Sequence, residues 1–553
     1  MRFFVVCPGG LEVPLAQELA SIAQRPDCKA LGAWVIDPTP TSPTGGVGLA
    51  APISAAMALN LHSRIASRVL LQMAELPYHQ EEDLYKLASG LAWEEWFSSK
   101  QTLRVDVTAH RSPLKSLNFA TLKIKDAIVD RLRDVTGDRP SIDTAFSDVR
   151  VQVHLTATHA TIYLDASGEA LFKRGWRDEK GGAPLKENLA AGILSITGWK
   201  PSQTLFDPMC GSGTFLIEAA QMALAIPPGA IRAGMYGDDA KPSRLAYRPL
   251  VTSAHGFGFQ RLKPFNEAAE QKRWGSLKDA AHAEMMEKRK QFPDSESLGI
   301  SGGDINERLV AMFKGNWQRA QLPGPPVTRQ IDALASKPPS NVKEGVMLLN
   351  PPYGERLVIK GGRGQDRAAG ADMERDSYEQ AEEPEDRYAF NLETGRQSAK
   401  RSSRESLKKL QAQEEQDPKF VEFLRQFGQH LKDAFGGWNV FVLTADMALP
   451  GQLRIKESKR TPLFNGPLEC RLFKFEMHQK RDAAADLKYQ ISTRKTAMEF
   501  KTYMCLICGW VYDEAAGLPE EGIAPGTLWK DVPMNWTCPE CGARKEDFEM
   551  MAI

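Results

Sequence analysis

The sequence has little that would hold a protein in a membrane or coat a nucleic acid. No apolar run approaches the roughly 18 residues that a membrane-spanning helix needs. The apolar start at Met1–Val6 reaches Pro8 and Gly9 at once, which is typical of a first strand rather than of a signal peptide. The 70 Lys and Arg residues balance 70 Asp and Glu residues, which excludes a uniformly basic coat protein but allows a local basic surface. We therefore expect a cytoplasmic protein with no membrane partner.

Cysteine is also scarce, with 8 residues in a chain of 553. Four cysteines are scattered through the first 500 residues, and Cys505, Cys508, Cys538 and Cys541 lie within the last 53. Such spacing excludes a disulfide-stapled secreted protein. From Lys501 onward nine acidic and four basic residues give a net charge of −5, so the first 500 residues carry +5. The pattern predicts a small acidic module after a larger, mildly basic body.

Helical and strand-like segments alternate along the larger body, which predicts an α/β multidomain protein. Helices are expected at Ala55–Leu71 and Leu117–Asp134, and a strand pair at Val149–Leu155 and Ala160–Leu164. From residue 182 to 354 the alternation is typical of parallel α/β units.

Three polar stretches interrupt this pattern. Residues 226–297 are expected to form a long polar insertion with few apolar periods. Residues 358–418 contain 14 acidic and 11 basic residues. Because such a stretch buries too little apolar surface to offset its ordering entropy, we expect it to be disordered or loosely helical. Residues 478–500 are predicted to be a polar linker.

The first candidate site is a glycine-containing loop between a strand and a helix, Asp207-Pro208-Met209-Cys210-Gly211-Ser212-Gly213-Thr214. A turn of this kind lets a ligand approach the backbone near a helix N-terminus. The spacing fails the Gly-x-Gly-x-x-Gly pattern of dinucleotide sites, and no Gly-Lys-Ser/Thr of a P-loop follows. Asp207 would repel a pyrophosphate and attract a ligand that carries an ammonium and a sulfonium, as S-adenosylmethionine does. The alternative is a tight turn in which Asp207 caps the helix.

The second candidate site is Asn350-Pro351-Pro352-Tyr353, which follows the apolar strand Val346–Leu349. The two prolines fix the backbone, and neither has a backbone N–H to donate in a hydrogen bond. The Asn350 side-chain oxygen and a proline carbonyl can then accept both N–H bonds of a planar amino group and orient its nitrogen for methyl transfer. Tyr353 supplies a face on which a base can stack. The alternative is an ordinary Pro-Pro turn, but its pairing with the glycine loop favours a site.

Two further carboxylates lie at predicted strand ends. Asp304, at the end of a second strand, suits a ribose diol. Asp332 offers an acceptor for an adenine amino group, although a solvated strand-end carboxylate is the simpler interpretation for Asp332.

The third constellation is the pair Cys505-x-x-Cys508 and Cys538-x-x-Cys541. Two Cys-x-x-Cys turns of this kind place four thiolates around one metal ion, so zinc or iron is expected. Six aromatic residues crowd this short module, enough for a compact core that excludes water: Tyr503, Trp510, Tyr512, Trp529, Trp536 and Phe548.

The motifs of the larger body resemble those of bacterial THUMP-domain guanine-N2 methyltransferases of large-subunit rRNA, the RlmL type. The resemblance runs along most of residues 1–477. The matching segments are Phe4–Pro8, His62–Arg68, Ile124–Asp130, Lys173–Arg177, Ala183–Ala191, Asn350–Leu357 and Leu463–Leu472.

This resemblance implies a THUMP-containing RNA-binding region at 1–170 and a Rossmann-like class I methyltransferase domain at 171–477. It also implies S-adenosylmethionine as donor and a guanine exocyclic amine of 23S rRNA, or of the pre-ribosomal large subunit, as acceptor. The segment 358–418 is longer than the corresponding turn of the family, and we expect it to cover or extend the RNA site. The predicted donor contacts are Asp207, Pro208, Met209, Cys210, Gly211, Gly213, Thr214, Asp304 and Asp332, and the predicted catalytic residues are Asn350, Pro351, Pro352 and Tyr353.

Residues 503–549 resemble rubredoxin, including Gly509-Trp510-Val511-Tyr512 and Pro533–Pro539. The resemblance implies a rubredoxin fold at 501–553 whose four cysteines bind one iron that carries an electron, with zinc as the less favoured metal. The acidic surface suits a reductase with a basic docking face.

A basic surface for RNA is predicted around one helix, where phosphate contacts would position the substrate. Its residues are Lys115, Lys123, Lys125, Arg131, Arg133 and Arg139. The alternative is a solvated helix face. Two other functions stay open: a THUMP methyltransferase acting on tRNA guanine, and an RNA-binding electron-transfer protein whose methyltransferase-like domain is not catalytic.

Overall fold

The computed structural model describes residues 1–38, 45–177, 185–236, 256–339, 342–351, 390–391, 396–397, 418–466, 468–479 and 500–551. The chain divides into two compact units, Met1–Gln479 and Lys480–Ile553. The predicted loosely ordered segment 358–418 lies outside the described residues, except for two strands of two residues each and the first residue of a helix. The predicted linker 478–500 lies almost entirely outside them as well.

The helices of the first unit are α1 (Glu12–Ala23), α2 (Pro26–Lys29), α3 (Ala55–His62), α4 (Glu81–Ser89), α5 (Leu117–Thr136), α6 (Glu187–Thr197), α7 (Thr214–Ala223), α8 (Ala268–Gln291), α9 (Glu307–Arg319), α10 (Pro418–Ala434) and α11 (Leu449–Leu453). Its strands are β1 (Arg2–Val6), β2 (Val35–Ile36), β3 (Gly46–Ala50), β4 (Arg68–Pro77), β5 (Leu103–Ala109), β6 (Val149–Leu155), β7 (His159–Asp165), β8 (Leu205–Asp207), β9 (Ile300–Asp304), β10 (Val327–Gln330), β11 (Val346–Leu349), β12 (Phe390–Asn391), β13 (Arg396–Gln397), β14 (Asn439–Thr444), β15 (Lys459–Asn465) and β16 (Leu468–Glu476).

The N-terminal region is built on one seven-stranded sheet in the order β2-β3-β1-β4-β7-β6-β5. β4 pairs antiparallel with β1 on one side and with β7 on the other, and β5 runs parallel to β6. The predicted strand pair at 149–155 and 160–164 is confirmed as β6 and β7, and the predicted helix at 117–134 as α5.

The predicted helix at Ala55–Leu71 is wrong in its second half, because α3 ends at His62 and β4 begins at Arg68. The carboxylate of Glu18 ends the helix: it accepts hydrogen bonds from the Ser63 hydroxyl and from the backbone N–H of Arg64 and Ile65. This long-range contact turns the chain out of the helix although the apolar pattern continues.

The second sheet of this unit has the order β10-β9-β8-β11-β14-β16-β15. Strands β8 to β11 and β14 are parallel, and β16 is antiparallel to both β14 and β15. The chain runs outward from β8 to β10 and then returns to place β11 on the other side of β8. Ligands of open α/β sheets bind at such a reversal, beyond the carboxyl ends of the strands.

The second half of the predicted polar insertion at 226–297 contains the helix α8, which was not predicted from the sequence. Trp274, Leu277, Ala281 and Met285 are buried on one face of this helix at spacings of three and four residues. The stripe is narrow and the rest of the helix is polar, so the apolar periodicity is weak when averaged over the segment.

The two sheets share a continuous buried core, and the turn after β1 contacts the far end of the second sheet. The backbone N–H of Phe464, in β15, donates to the Gly9 carbonyl oxygen at 3.2 Å. Leu463 beside it is fully buried.

The second unit contains a small sheet of β17 (Thr502–Cys505), β18 (Val511–Asp513) and β19 (Phe548–Met551), with β17 in the centre. Tyr512, Trp529 and Trp536 form its buried aromatic core together with Cys505 and Cys538. No helix among the described residues of either unit is long and apolar enough to cross a membrane.

Candidate active site and metal centre

The glycine loop follows β8 and is attached to the neighbouring strand β9. Asp207 is the last residue of β8 and is buried, and its Oδ1 accepts the Met209 N–H at 3.0 Å. The Cys210 N–H donates to the Gly303 carbonyl oxygen at 2.8 Å. Pro208 and Cys210 are buried within the loop. The loop is therefore fixed at the carboxyl end of β8, which is where open α/β sheets bind their ligands.

Two glycines give the loop its shape. Gly211 and Gly213 have φ values of +55° and +82°, and the Gly211 N–H donates to Asp304 Oδ2 at 3.0 Å. A Cβ at Gly213 would lie 1.9 Å from the ring of Phe313 in α9. Helix α7 begins immediately afterwards at Thr214. The loop can pack this closely against α9 only because residue 213 has no side chain.

Asp207 and Asp304 form a buried acidic pair. Burial raises the pKa of Asp207 well above its usual range, and the charge of Asp304 raises it further. Burial also raises the pKa of Asp304, against hydrogen bonds from the N–H groups of Asn306 and Gly211. Within the described residues neither carboxylate forms an ion pair with Lys or Arg. Buried carboxylates without a cation favour a positively charged ligand.

Asp332 lies apart from this pair, just after β10. It is exposed, and its Oδ1 accepts the Leu334 N–H at 2.9 Å as the cap of a short helical turn. Its role as an adenine contact stays a prediction.

Asn350 follows the fully buried strand β11, directly across the strand reversal from Asp207. Its Oδ1 is buried and has no hydrogen-bond partner among the described residues. Pro351 is also buried. Pro352 and Tyr353 lie outside the described residues. An unpaired buried carbonyl oxygen is uncommon and costly unless a ligand completes it.

An arginine contact near Thr214 was not predicted from the sequence. Arg177 donates through Nη2 to Thr214 Oγ1 at 2.8 Å and through Nε to Glu187 at 2.8 Å. It thus ties the first residue of α7 to the first residue of α6. Arg177 and Glu187 belong to the family-like segments, but nothing in their spacing indicates that they meet.

The predicted basic surface is largely neutralised. Four of its six residues form ion pairs with nearby carboxylates: Lys123 with Glu82, Lys125 with Asp126, Arg131 with Glu94, and Arg133 with Asp130. Lys115 and Arg139 are exposed and have no ion-pair partner among the described residues. The assignment of RNA contacts here stays a prediction, and these two residues are its strongest members.

The four C-terminal cysteines converge. Their Sγ atoms all lie within 4.8 Å of one another, with 3.6 Å between Cys505 and Cys541 and 3.7 Å between Cys508 and Cys538. Tetrahedral bonds of about 2.3 Å would place thiolates about 3.8 Å apart, so the cluster fits one ion. Burial opposes ionisation of Cys505, but hydrogen bonds from the Cys508 and Ile507 N–H groups lower its pKa to about 7. Cys508 and Cys541 are exposed, so the site lies at the surface of its unit.

Four known families match successive parts of the chain. They are the RlmL ferredoxin-like domain at 2–70, the THUMP domain at 78–165, the RMKL-like methyltransferase domain at 174–365 and rubredoxin at 502–548.

Curated relatives match over most of the chain. The Synechocystis protein named "Putative RNA methyltransferase slr0064" is 30% identical over 476 residues, which cover 86% of this chain and 97% of that protein. The "Ribosomal RNA large subunit methyltransferase K/L" of Shewanella sp. strain MR-4 is 32% identical over 486 residues, which cover 86% of this chain and 53% of that protein. The chain therefore spans about half the length of the K/L relatives.

Solved structures show the same fold. The "putative methyltransferase complexed with SAH" called SMU.472 has a TM-score of 0.60 at 22% identity, covering 87% of this chain and 99% of that one. A "predicted N6-adenine-specific DNA methylase" from Listeria monocytogenes has a TM-score of 0.60 at 21% identity, covering 86% and 96%. The chain thus belongs to the RlmKL-like family of THUMP-containing methyltransferases and carries a rubredoxin domain after its methyltransferase domain.

Proposed function

We propose that this protein transfers the methyl group of S-adenosylmethionine to the N2 amine of a guanine in 23S rRNA, in the cytoplasm. The observation that carries this proposal is Asn350. Its buried Oδ1 has no hydrogen-bond partner in the described part of the chain and lies at the carboxyl end of β11, across the strand reversal from the acidic pair. An amino group entering the crevice would supply the missing hydrogen bond.

The residues at the end of β8 and β9 fit the donor. S-adenosylmethionine supplies a methyl group on a positively charged sulfonium. Asp207 and Asp304 are buried without a Lys or Arg partner in the described part of the chain, so they can hold a cationic ligand. A Cβ at Gly211 would meet no atom within 4 Å, so the loop leaves room beside this residue for the ligand to approach.

Asn350 would orient the acceptor. Its Oδ1 and the carbonyl of Pro351 or Pro352 would each accept one N–H of the guanine amino group, which aims the nitrogen at the donor. The neutral amine attacks the methyl carbon while the methyl–sulfur bond breaks, and its electron pair stays on sulfur, so S-adenosylhomocysteine leaves. The methylated nitrogen then loses one proton to solvent. The guanine must leave its base stack to enter the crevice, and THUMP contacts to phosphates would position the RNA.

The substrate is tested with RNA from a strain in which the gene is deleted. Full-length protein and S-adenosylmethionine are incubated separately with 23S rRNA, with pre-ribosomal large subunits and with tRNA, and the digested nucleosides are analysed by mass spectrometry. N2-methylguanosine formed only in the large-subunit RNA is the expected result. Methylation of tRNA alone would replace the rRNA assignment, and no methylation of any RNA would refute the enzymatic role.

The catalytic assignment is tested with two substitutions at one position. Asn350→Ala removes the acceptor and should lower kcat by roughly 10²-fold or more, the usual effect of a lost oriented hydrogen bond. Asn350→Asp retains an acceptor oxygen of similar size and should be less impaired. Donor affinity, measured by titration calorimetry, should be unchanged in both. Near-normal turnover of the alanine variant would refute this role.

We further propose that Cys505, Cys508, Cys538 and Cys541 bind one iron and that the C-terminal unit exchanges single electrons with a reductase that presents a basic face. Methyl transfer moves no net electrons, so the two activities should be independent. Protein expressed in iron-rich medium should be red and lose its colour on reduction. Cys541→Ser should lose the red form while methyl transfer is retained. Colourless protein with one tightly bound zinc would overturn the iron assignment.

A further inference from the structure

Three metal-ligating side chains meet in the N-terminal region, away from both sites described above. Asp27 and Cys28 lie in α2, and His62 is the last residue of α3. A carboxylate oxygen of Asp27, the Cys28 Sγ and an imidazole nitrogen of His62 all lie within 4.8 Å of one another. Cys28 is fully buried.

The Nε2 atom of the His62 imidazole is buried in this cluster, and among the described residues it has no hydrogen-bond partner. The His62 side chain is only 6% exposed, and that of Asp27 is 11% exposed. Among the described residues neither His62 Nε2 nor Asp27 Oδ2 has a hydrogen-bond partner. The two atoms are 3.7 Å apart, which is too far for a hydrogen bond. Two buried polar atoms that face each other at this distance without a hydrogen bond are costly, and an ion between them would satisfy both.

We infer that Asp27, Cys28 and His62 bind one divalent transition-metal ion, and that zinc is the ion they favour. Carboxylate, thiolate and imidazole are the three ligand types that zinc takes in proteins. Tetrahedral bonds of about 2.0–2.3 Å place ligand atoms about 3.3–3.6 Å apart. The Asp27–His62 pair, at 3.7 Å, is already near this spacing, and the cluster needs to contract by no more than about 1.5 Å. Water takes the fourth position.

The charges of the neighbourhood allow a dication. Zinc, one carboxylate and one thiolate sum to zero, and the thiol proton of Cys28 leaves to solvent on binding. Arg25 lies beside the cluster with its Nε 3.3 Å from Asp27 Oδ1, but its Nη1 is paired with Glu284 at 2.8 Å. Arg25 therefore pairs both with Asp27 Oδ1 and with Glu284, and Asp27 Oδ2 remains for the metal.

The same contacts give the metal a structural role. Glu284 belongs to α8, the helix inside the methyltransferase insertion. A metal that fixes Asp27 would also orient Arg25 and hence its ion pair with α8. The site would join the N-terminal helices α2 and α3 to the methyltransferase domain.

The experiment must separate this site from the C-terminal cysteines. A full-length variant with serine at Cys505, Cys508, Cys538 and Cys541 is loaded with zinc, dialysed and analysed by plasma mass spectrometry. One zinc per chain is expected. Adding His62→Gln should reduce the zinc to the buffer level, whereas the exposed control His159→Gln should retain it. Zinc should also raise the Tm of the parent variant but not that of the His62→Gln form.

Cobalt gives an independent measurement of the thiolate. The parent variant loaded with cobalt should show a thiolate-to-cobalt charge-transfer band, which Cys28→Ala should abolish. Donor binding serves as the test of folding for each variant. A parent variant that binds no zinc, or one that keeps its zinc after both His62→Gln and Cys28→Ala, would overturn the inference.

Discussion

A substitution at Gly213 tests whether the glycine loop is shaped by its contact with α9. Gly213→Ala places a Cβ 1.9 Å from the ring of Phe313, which is itself only 1% exposed. The φ of +82° adds strain of about 1–2 kcal/mol for any residue with a Cβ. Forcing the buried ring aside adds about 1–3 kcal/mol. The total expected loss is about 2–5 kcal/mol.

Gly211→Ala is the matched control. Its φ is +55°, but a Cβ there meets no atom within 4 Å. The expected loss is therefore the backbone strain alone, about 1–2 kcal/mol. Both variants are compared by thermal unfolding of the full chain and by titration calorimetry with S-adenosylmethionine. Gly213→Ala should show the larger fall in Tm and the larger loss of donor affinity.

A double variant identifies the source of the effect. Phe313→Ala removes the ring that Gly213→Ala would strike, so the two substitutions should cost less together than the sum of their separate effects. Equal losses at Gly211 and Gly213, or strict additivity with Phe313→Ala, would refute the reasoning that steric exclusion by α9 shapes the loop.

Three further predictions concern charge. Because the pKa of Asp207 is raised, its carboxyl loses its proton and becomes negative only as pH rises through that value. Affinity for the cationic donor should therefore increase with pH, while the stability of the ligand-free protein should fall. Asp207→Asn should remove the pH dependence of donor affinity. Glu218 forms a fully buried ion pair with Arg174 at 3.1 Å, so Glu218→Gln should destabilise the chain by about 3–5 kcal/mol, whereas Glu422→Gln, in an exposed pair, should leave the Tm unchanged. Alanine at Lys115 and Arg139 should reduce the slope of log Kd against log salt for RNA by about two, and Lys123→Ala, whose charge is already paired, by less.

The sequence predicted those parts of the fold whose information is local. Helix α5 and the pair β6–β7 follow directly from apolar periodicity. The end of α3 does not, because the group that stops it is the carboxylate of Glu18, 45 residues away from Ser63. Helix α8 was missed because only a narrow stripe of its surface is buried.

In the candidate site, too, local sequence features were predicted and contacts between distant residues were not. The loop at Asp207 and the turn at Asn350 were predicted because their residue types carry their chemistry at short spacing. The sequence could not show that Asp304 would bind the Gly211 N–H, or that Arg177 would hold Thr214, because both contacts depend on how distant strands and helices meet. The cluster of Asp27 and His62 likewise exists only after α2 and α3 pack together.

The contact between the turn after β1 and strand β15 sets an order of events during synthesis. Gly9 leaves the ribosome early, but the residue that bonds to it, Phe464, follows 455 positions later. At about 5–20 residues per second, that interval is roughly 20 to 90 seconds. During this time the N-terminal sheet can form, but the surface at Gly9 stays open to water. A chaperone that shields this turn on the nascent chain would have to release it when β15 arrives.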